Sequence, residues 1–255
     1  AVCVNGQLLS EFVSKLPPGP MSMALTAKKL TVWSGRTSVA LPVAAIEEFP
    51  SFPETTGPAM ELNAQPFSWA LGLADIAVNP RDARAFCHSV NLVFRESLVD
   101  IVSTDINRMM LVALPVSSGG RPSLLLPLRA VRDLKTLFRG EGLLFYANDK
   151  TARFEAAGVS YTTRIVESPF PDYSQVVPTK FTTKACVNHE KFRACLERAR
   201  LIDDTMVSLA IQGALLTVSA RGDIGEMSDE IAAKVTGEEG AGAVFTPAYL
   251  LDFLK

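Results

Sequence analysis

Hydrophobic residues recur at helical spacing in four segments, and short alternating runs typical of strands follow each of them. The predicted helices cover 6–16, 65–77, 128–139 and 189–201, and a fifth begins at 247. Strands are predicted at 1–4, 21–25, 29–34, 37–43, 58–62, 90–95, 98–103, 109–115, 143–147, 151–156, 159–166, 181–187, 206–211, 215–220, 230–235 and 241–245, and residues 123–127 begin a further unit. This recurring order predicts a modular α+β fold rather than one wound sheet.

A proline-containing connector separates these modules and occurs twice. The clearer copy is Phe170-Pro171-Asp172-Tyr173-Ser174-Gln175-Val176-Val177-Pro178, and the shorter one is Glu48-Phe49-Pro50-Ser51-Phe52-Pro53. Their Phe-Pro pairs lie 121 residues apart (170 − 49). Because proline fixes the backbone and lacks a donor, each copy is predicted to be a stiff, extended segment. The repeat divides the chain into domains 1–54, 55–180 and 181–255.

The helix at 128–139 has two distinct faces at 100° per residue. Its apolar side carries Ala130, Val131, Leu134, Leu137 and Phe138, and its basic side carries Arg129, Arg132, Lys135 and Arg139. A basic helix face of this kind could meet the phosphates of a nucleic acid, and phosphate contacts carry little sequence information. Further candidates for this surface are Lys15, Arg81, Arg84, Lys191, Arg193, Arg198 and Arg200. The alternative is a solvated helix face without a ligand.

Composition, charge and cysteine content limit the classes of protein to which this sequence can belong. Hydrophobic residues make up 48% and charged residues 20% of 255 residues, which predicts a packed core. The net charge is −2, so any nucleic-acid surface must gather its cations on one face. Four cysteines without a CxxC pattern are typical of reduced thiols. Without a signal segment or a membrane-spanning apolar run, the predicted location is the cytoplasm, with no membrane partner.

Catalytic and metal patterns are weak. The sequence contains no GxxxxGK[ST], GxSxG or HExxH motif, so no enzyme activity and no cofactor are predicted. Cys186, His189 and Cys195 form a conceivable metal set. Cys195, however, falls on the predicted buried face of its helix, and the spacing fits zinc patterns poorly. No metal site is therefore predicted.

Several motifs resemble the bacterial DNA polymerase III beta subunit, the sliding clamp family. Ser103 to Met109 resembles the family's Thr-Asp-Gly-His-Arg-Leu turn, and the connector at 170–178 resembles its interdomain linker. Phe245 to Asp252 is similar to its Phe-Asn-x-x-Tyr helix, and Leu16-Pro17-Pro18-Gly19 is similar to a passage in its first domain. The likeness covers the chain in collinear order. It implies repeated half-domains with helices on the inner face and antiparallel sheets outside.

The resemblance also implies a function. A sliding clamp is a processivity subunit that encircles double-stranded DNA as a head-to-tail homodimer ring. Replicative and repair polymerases and the clamp loader dock through short peptide motifs into a hydrophobic pocket. Carried over position by position, that pocket comprises Thr104, Ile106, Asn107, Arg108, Met109, Pro171, Gln175, Val176 and Tyr249. The alternatives are a clamp-derived module that binds peptides without holding DNA, and an unrelated enzyme on a repeated α+β fold.

This chain departs from the family pattern at three points. Ile106-Asn107 stands where the family has Gly-His, and Ser174-Gln175 stands where it often has basic residues. A complete clamp subunit has six half-domains. This chain is predicted to hold the second half of domain I, all of domain II, and the first half of domain III with the start of its second half. The expectation is therefore a fragment, or the ordered part of a longer protein.

Overall fold

The computed structural model describes residues 2–48, 53–55, 57–116, 123–138, 140, 142–238 and 240–255. Contacts divide the chain into two compact units, Ala1–Glu54 and Thr55–Lys255. Most of the shorter predicted connector, from 49 to 52, lies outside the described residues. No helix in the described ranges combines the length and apolar character needed to cross a membrane.

Five α-helices and sixteen strands are seen within these residues. The helices are α1 (Gly6–Ser14), α2 (Ala64–Ala74), α3 (Leu128–Leu137), α4 (His189–Ile202) and α5 (Pro247–Phe253). The strands are β1 (Ser22–Leu25), β2 (Lys29–Ser34), β3 (Thr37–Pro42), β4 (Met60–Asn63), β5 (Ser89–Phe94), β6 (Leu98–Thr104), β7 (Met109–Pro115), β8 (Leu124–Pro127), β9 (Gly142–Ala147), β10 (Thr151–Ala156), β11 (Val159–Arg164), β12 (Thr183–Val187), β13 (Val207–Gln212), β14 (Leu215–Gly222), β15 (Gly225–Gly237) and β16 (Gly242–Phe245).

Asparagine side chains fix the starts of three helices. The side-chain oxygens of Asn5, Asn63 and Asn188 accept hydrogen bonds from backbone N–H groups in the first turns of α1, α2 and α4. Such caps satisfy donors that would otherwise have no partner in the helix. The helix starts predicted from the sequence therefore have a local physical cause.

The first unit is a three-stranded antiparallel meander in the order β1-β2-β3, accompanied by α1. Leu30, Val32 and Leu41 are its buried hydrophobic residues. The strand predicted at 1–4 is reduced to one bridge between Cys3 and Ala44. In this unit the alternation of hydrophobic residues along the strands determines which face of the sheet is buried.

Two half-domains exchange their first strands in the region from β4 to β11. The sheets have the orders β11-β10-β9-β4 and β7-β6-β5-β8, so β4 completes the later half and β8 completes the earlier one. Helices α2 and α3 pack against each other. The core contains an aromatic group in which Phe145 lies 4.9 Å from Phe154 and 5.2 Å from Phe94 between ring centroids. The repeat seen in the sequence is thus realised as paired halves around one core.

A second core lies further along the chain. It includes Cys195, Leu196 and Val218, and the partly buried Leu250 packs against it. The strand order is β12-β15-β14-β13-β16, and β16 pairs with β13 as β8 pairs with β5. Strand β15 is longer than the predicted 230–235, because its first residues, 225–229, pair with β14 and its last residues pair with β12. A Cβ on Gly237 would lie 2.0 Å from the Thr182 carbonyl oxygen, so this pairing requires glycine.

Two sequence predictions need correction. Leu137 was placed on the apolar side of α3 but is 45% exposed, because the helix ends there and Phe138 fills the buried position. The connector at 170–178 is not extended throughout. It contains a 3-10 turn at Tyr173–Gln175, because the Asp172 side chain accepts from the Ser174 N–H. This capping bends the chain between the two prolines.

Candidate functional site

The turn between β6 and β7 is fixed by its own side chains. The Thr104 hydroxyl donates to the Arg108 carbonyl oxygen (2.8 Å) and accepts from the Ile106 N–H (2.9 Å). Asp105 Oδ1 accepts from the N–H groups of Asn107 (3.1 Å) and Arg108 (3.0 Å). These side-chain contacts replace the missing ladder bonds and set the direction of each residue in the turn.

Ile106 adopts a left-handed backbone conformation with φ of 80°. A β-branched residue is a true outlier there, because its Cβ approaches the following carbonyl. Its side chain is 49% exposed. The hydrogen bonds of Thr104 and Asp105 hold the turn in place despite this strain.

Ile106→Gly should raise the free energy of unfolding by about 1 kcal/mol. The left-handed conformation costs a branched residue about 1–2 kcal/mol, which glycine does not incur. The greater conformational entropy of glycine in the unfolded state offsets part of the stability gained by this substitution. Urea unfolding followed by circular dichroism measures the change. Ala157→Gly, at φ of 50° and on a different hairpin, is the matched control and should gain less because alanine is unbranched. A loss of stability in Ile106→Gly would contradict the strain.

The connector is tied to the sheet by a polar triad. The Tyr173 hydroxyl donates to Asp100 Oδ2 (2.7 Å), and Arg95 Nη2 donates to that hydroxyl (3.0 Å). Arg95 Nε also donates to Asp100 Oδ2 (2.7 Å). Partial burial and the bond to Asp100 raise the pKa of Tyr173. The Tyr173 hydroxyl therefore keeps its proton at neutral pH and can donate to Asp100. Through this bond the triad ties the connector to β6.

A cavity of about 480 Å³ lies between the turn and the connector. Its walls are Phe86, Thr104, Ile106, Asn107, Arg108, Met109, Phe170, Pro171, Asp172, Tyr173 and Val176. Phe86 and Phe170 meet edge to face with centroids 5.9 Å apart. We call this cavity the connector pocket. Larger cavities of about 730 and 650 Å³ occur elsewhere, but no candidate residue lines either of them.

The structure brings together all but two of the residues predicted for this pocket. Gln175 does not line the cavity and donates to Asp172 Oδ2 (3.0 Å). Tyr249 does not line it either, and its ring contacts the guanidinium of Arg108. The sequence prediction also omitted Phe86, Phe170, Asp172 and Tyr173. The last three belong to the connector that the proline pattern had singled out, whereas Phe86 has no comparable sequence signal.

Arg108 joins the turn to α5. Its Nε lies 2.9 Å from Asp105 Oδ2, and its Nη1 lies 2.5 Å from Asp252 Oδ2. Its Cζ sits 4.5 Å from the ring centroid of Tyr249, within cation–π range. One wall residue of the connector pocket is therefore held by two carboxylates and an aromatic ring.

The basic face of α3 is present but partly neutralised. Arg129 is 93% exposed, and its closest carboxylate is Asp133 at 4.0 Å. Arg132 Nε lies 3.2 Å from Asp75 Oδ1, and Lys135 Nζ lies 2.8 Å from Asp75 Oδ2. Asp75 is the C-cap of α2, so the carboxylate comes from the neighbouring helix. Arg139 lies outside the described residues.

The remaining basic candidates fall into two groups. Arg84 pairs with Asp82 (2.8 Å), Arg193 with Glu197 (3.1 Å), and Arg198 with Asp229. The others are exposed and have no ion-pair partner in the described part of the chain: Lys15, Arg81, Lys191 and Arg200. Only the unpaired group can meet a phosphate without first breaking a bond within the protein.

The structure shows where the two cysteines of the conceivable metal set, Cys186 and Cys195, lie. Cys195 is fully buried in the second core, and burial raises the pKa of its thiol to about 11. A thiol that stays protonated is a poor ligand, because metals bind the thiolate. Cys186 is exposed on β12. Within the described ranges no three His, Cys, Asp or Glu side chains cluster as a metal site.

Residues 61–172 match the family model of the DNA polymerase III beta subunit, central domain. The beta sliding clamp of Streptomyces coelicolor is 25% identical over 266 residues, an alignment that covers 100% of this chain and 70% of that protein. Over its whole length this chain is similar to bacterial beta sliding clamps. The resemblance read from the sequence motifs is thereby confirmed.

Solved clamps have the same fold. The DNA polymerase sliding clamp from Bacillus subtilis superposes with a TM-score of 0.90 at 21% identity, covering 99% of this chain and 70% of that one. A Pseudomonas aeruginosa clamp bound to griselimycin gives a TM-score of 0.88 at 20% identity, covering 99% and 71%. At this identity the likeness establishes the fold, and it confirms the predicted α+β clamp architecture. The relatives are named as a clamp or a polymerase subunit and not for a reaction of their own.

Proposed function

We propose that this chain acts as a sliding-clamp processivity subunit. In this proposal it helps to encircle duplex DNA, a second copy closes the ring head to tail, and polymerases and the clamp loader dock through short peptides. The observation that carries the proposal is the connector pocket, formed by the turn and linker whose motifs resemble those of the clamp family. The proposed domains are 1–54, 55–180 and 181–255, and the proposed location is the cytoplasm.

The physical character of the connector pocket suits a peptide. Its volume falls within the range of about 300–1,000 Å³ that is usual for ligand sites. Phe86, Met109, Phe170 and Val176 offer apolar surface, and Asn107 adds a polar group at the edge. Val176 is largely exposed, which leaves a contact surface for an incoming apolar side chain. One or two buried apolar anchors with a polar rim are the usual basis of short-peptide affinity.

The basic candidates suit a loose hold on DNA. Arg129, Lys191 and Arg200 are exposed cations, and Arg132 and Lys135 share one partly buried carboxylate, Asp75. Arg132 itself is more than half exposed, so a phosphate can compete with Asp75 as its partner. Contacts of this kind fix no sequence, as a protein that slides along DNA requires.

A second candidate function is peptide binding without DNA. The observation in its favour is that many of the candidate cations already bind carboxylates of the same chain. These paired residues are Arg84, Arg132, Lys135, Arg193 and Arg198. In that case the basic surface would be largely neutralised, and DNA would gain few contacts.

Retention on closed DNA separates the two candidates. The full chain should remain on nicked circular plasmid during gel filtration and should be lost after the plasmid is cut once, because a ring slides off a free end. Rising salt should weaken initial association more than retention on the circle. The control is the same plasmid linearised before mixing. Equal, weak binding to circles and linear DNA, together with retained peptide binding, would overturn the DNA-holding function and favour the second candidate.

A further inference from the structure

The mouth of the connector pocket carries a carboxylate without a counter-ion. Asp172 is exposed and lines the pocket. Its hydrogen bonds come from neutral groups: the Ser174 N–H (3.1 Å), the Ser174 hydroxyl (2.6 Å) and Gln175 Nε2 (3.0 Å). In the part of the chain that the structure describes, no lysine or arginine lies within ion-pair distance of it. These bonds lower the pKa of Asp172, with the Ser174 hydroxyl contributing most.

The cation on the pocket wall cannot balance this charge. Arg108 is already bound to Asp105 and Asp252, and its guanidinium lies over Tyr249. Arg95 donates to the Tyr173 hydroxyl and pairs with Asp100, so it is engaged as well. An incoming ligand therefore meets an apolar pocket with one fixed, ionised carboxylate at its rim.

We propose that the connector pocket selects peptides in which a lysine or arginine adjoins the apolar anchors and faces Asp172. This inference rests on the proposed peptide-docking function and adds the charge of the partner. The three hydrogen bonds hold the carboxylate in place before binding, so little ordering is needed when a cation arrives. Charge complementarity at a rim acts mainly on selectivity and is screened by salt. The partner is therefore a protein with a basic, apolar docking segment.

The test uses three kinds of labelled pentapeptide in fluorescence polarisation, which differ in carrying one lysine, one glutamine or one glutamate. All are acetylated and amidated, the other residues are leucine and phenylalanine, and the variable residue is moved through the positions in turn. The best lysine peptide should bind about three- to five-fold more tightly than its glutamate counterpart at low salt, the range expected of an exposed pair. The preference should nearly vanish at about 0.5 M salt. Met109→Glu should abolish binding of all three peptides and so locate them in this pocket.

Variants of the connector supply the controls. Asp172→Asn keeps a side-chain acceptor and should remove the preference, and Gln175→Lys should remove it as well, because the lysine neutralises the charge of Asp172. Gln175→Met removes the bond to Asp172 without adding charge and should leave the lysine preference in place. If peptides bind with no charge preference, or if glutamate is preferred, this inference is overturned while peptide docking stands. If none of the peptides binds, peptide docking itself is overturned.

Discussion

Replacing Asp75 with asparagine should tighten binding to duplex DNA and make it more sensitive to salt. Asp75 is the carboxylate shared by Arg132 and Lys135. Without it, both cations can face phosphates, and each added contact contributes about 0.9 to the slope of log K against log salt. Two contacts would steepen the slope by up to about 1.8. The affinity for DNA would then fall by roughly tenfold more than that of the wild type between about 50 and 200 mM salt.

The fold should tolerate this change. Asp75 caps the C-terminal end of α2, where the helix dipole disfavours a negative charge, so asparagine removes an unfavourable interaction as well as two partly exposed ion pairs. Fluorescence anisotropy of a short labelled duplex, titrated at several salt concentrations, measures both affinity and slope.

The matched control is Glu226→Gln. It makes the same change in net charge and releases Arg221, a cation outside the candidate DNA-binding set. Its affinity for DNA should change little compared with Asp75→Asn. Equal gains in the two variants would mean that net charge, rather than the α3 face, governs binding, and that result would count against the proposed surface.

Arg108→Met should lower the free energy of unfolding by about 2 kcal/mol. Asp105 is a nearly buried carboxylate, and it would lose its guanidinium partner while keeping two backbone N–H donors. Asp252 would keep Lys255 but lose its link to the turn. Removing one partner of a buried ion pair costs about 3–5 kcal/mol, and the partial exposure of this pair reduces that figure. Urea denaturation measures the difference.

Arg221→Met is the control for this variant. Arg221 pairs with Glu226 at 3.0 Å, but both side chains are exposed, so its loss should cost less than about 0.5 kcal/mol. A double-mutant cycle of Arg108→Met with Asp252→Asn isolates the coupling between the turn and α5. A coupling near zero would show that the contact does not stabilise the fold.

Lowering the pH should remove much of the difference in unfolding free energy between wild type and Arg108→Met. Partial burial raises the pKa of the Asp252 carboxyl, but hydrogen bonds from Lys255 and Arg108 outweigh it and leave the pKa lowered. The pair therefore contributes fully above the unfolded value of about 3.9, and the contribution is lost as pH falls through the folded value. The stability gap between wild type and Arg108→Met should accordingly narrow below about pH 4. A gap that stays constant into that range would assign the effect to lost packing instead.

The sequence located much of the candidate site because its signals are local. Proline marked the connector, and the polar run from Thr104 to Arg108 marked the turn, since both residue types restrict the backbone where they stand. Phe86 escaped prediction because it sits in a short 3-10 turn without periodicity and meets Phe170 only after the chain has folded. The left-handed Ile106 also escaped, because nothing in an isoleucine predicts positive φ.

The order of elements, the repeat and the two faces of α3 were determined by the sequence alone, because the spacing of apolar residues fixes which side of a helix or strand turns inward. Tertiary structure decided what each outward residue meets. Asp75 reaches Arg132 and Lys135 across two helices, and Arg108 reaches Asp252 from a distant turn. Periodicity cannot show such partners, because they depend on how separate elements pack. The same packing determines how many cations of the basic face remain unpaired and which charge is left at the connector pocket.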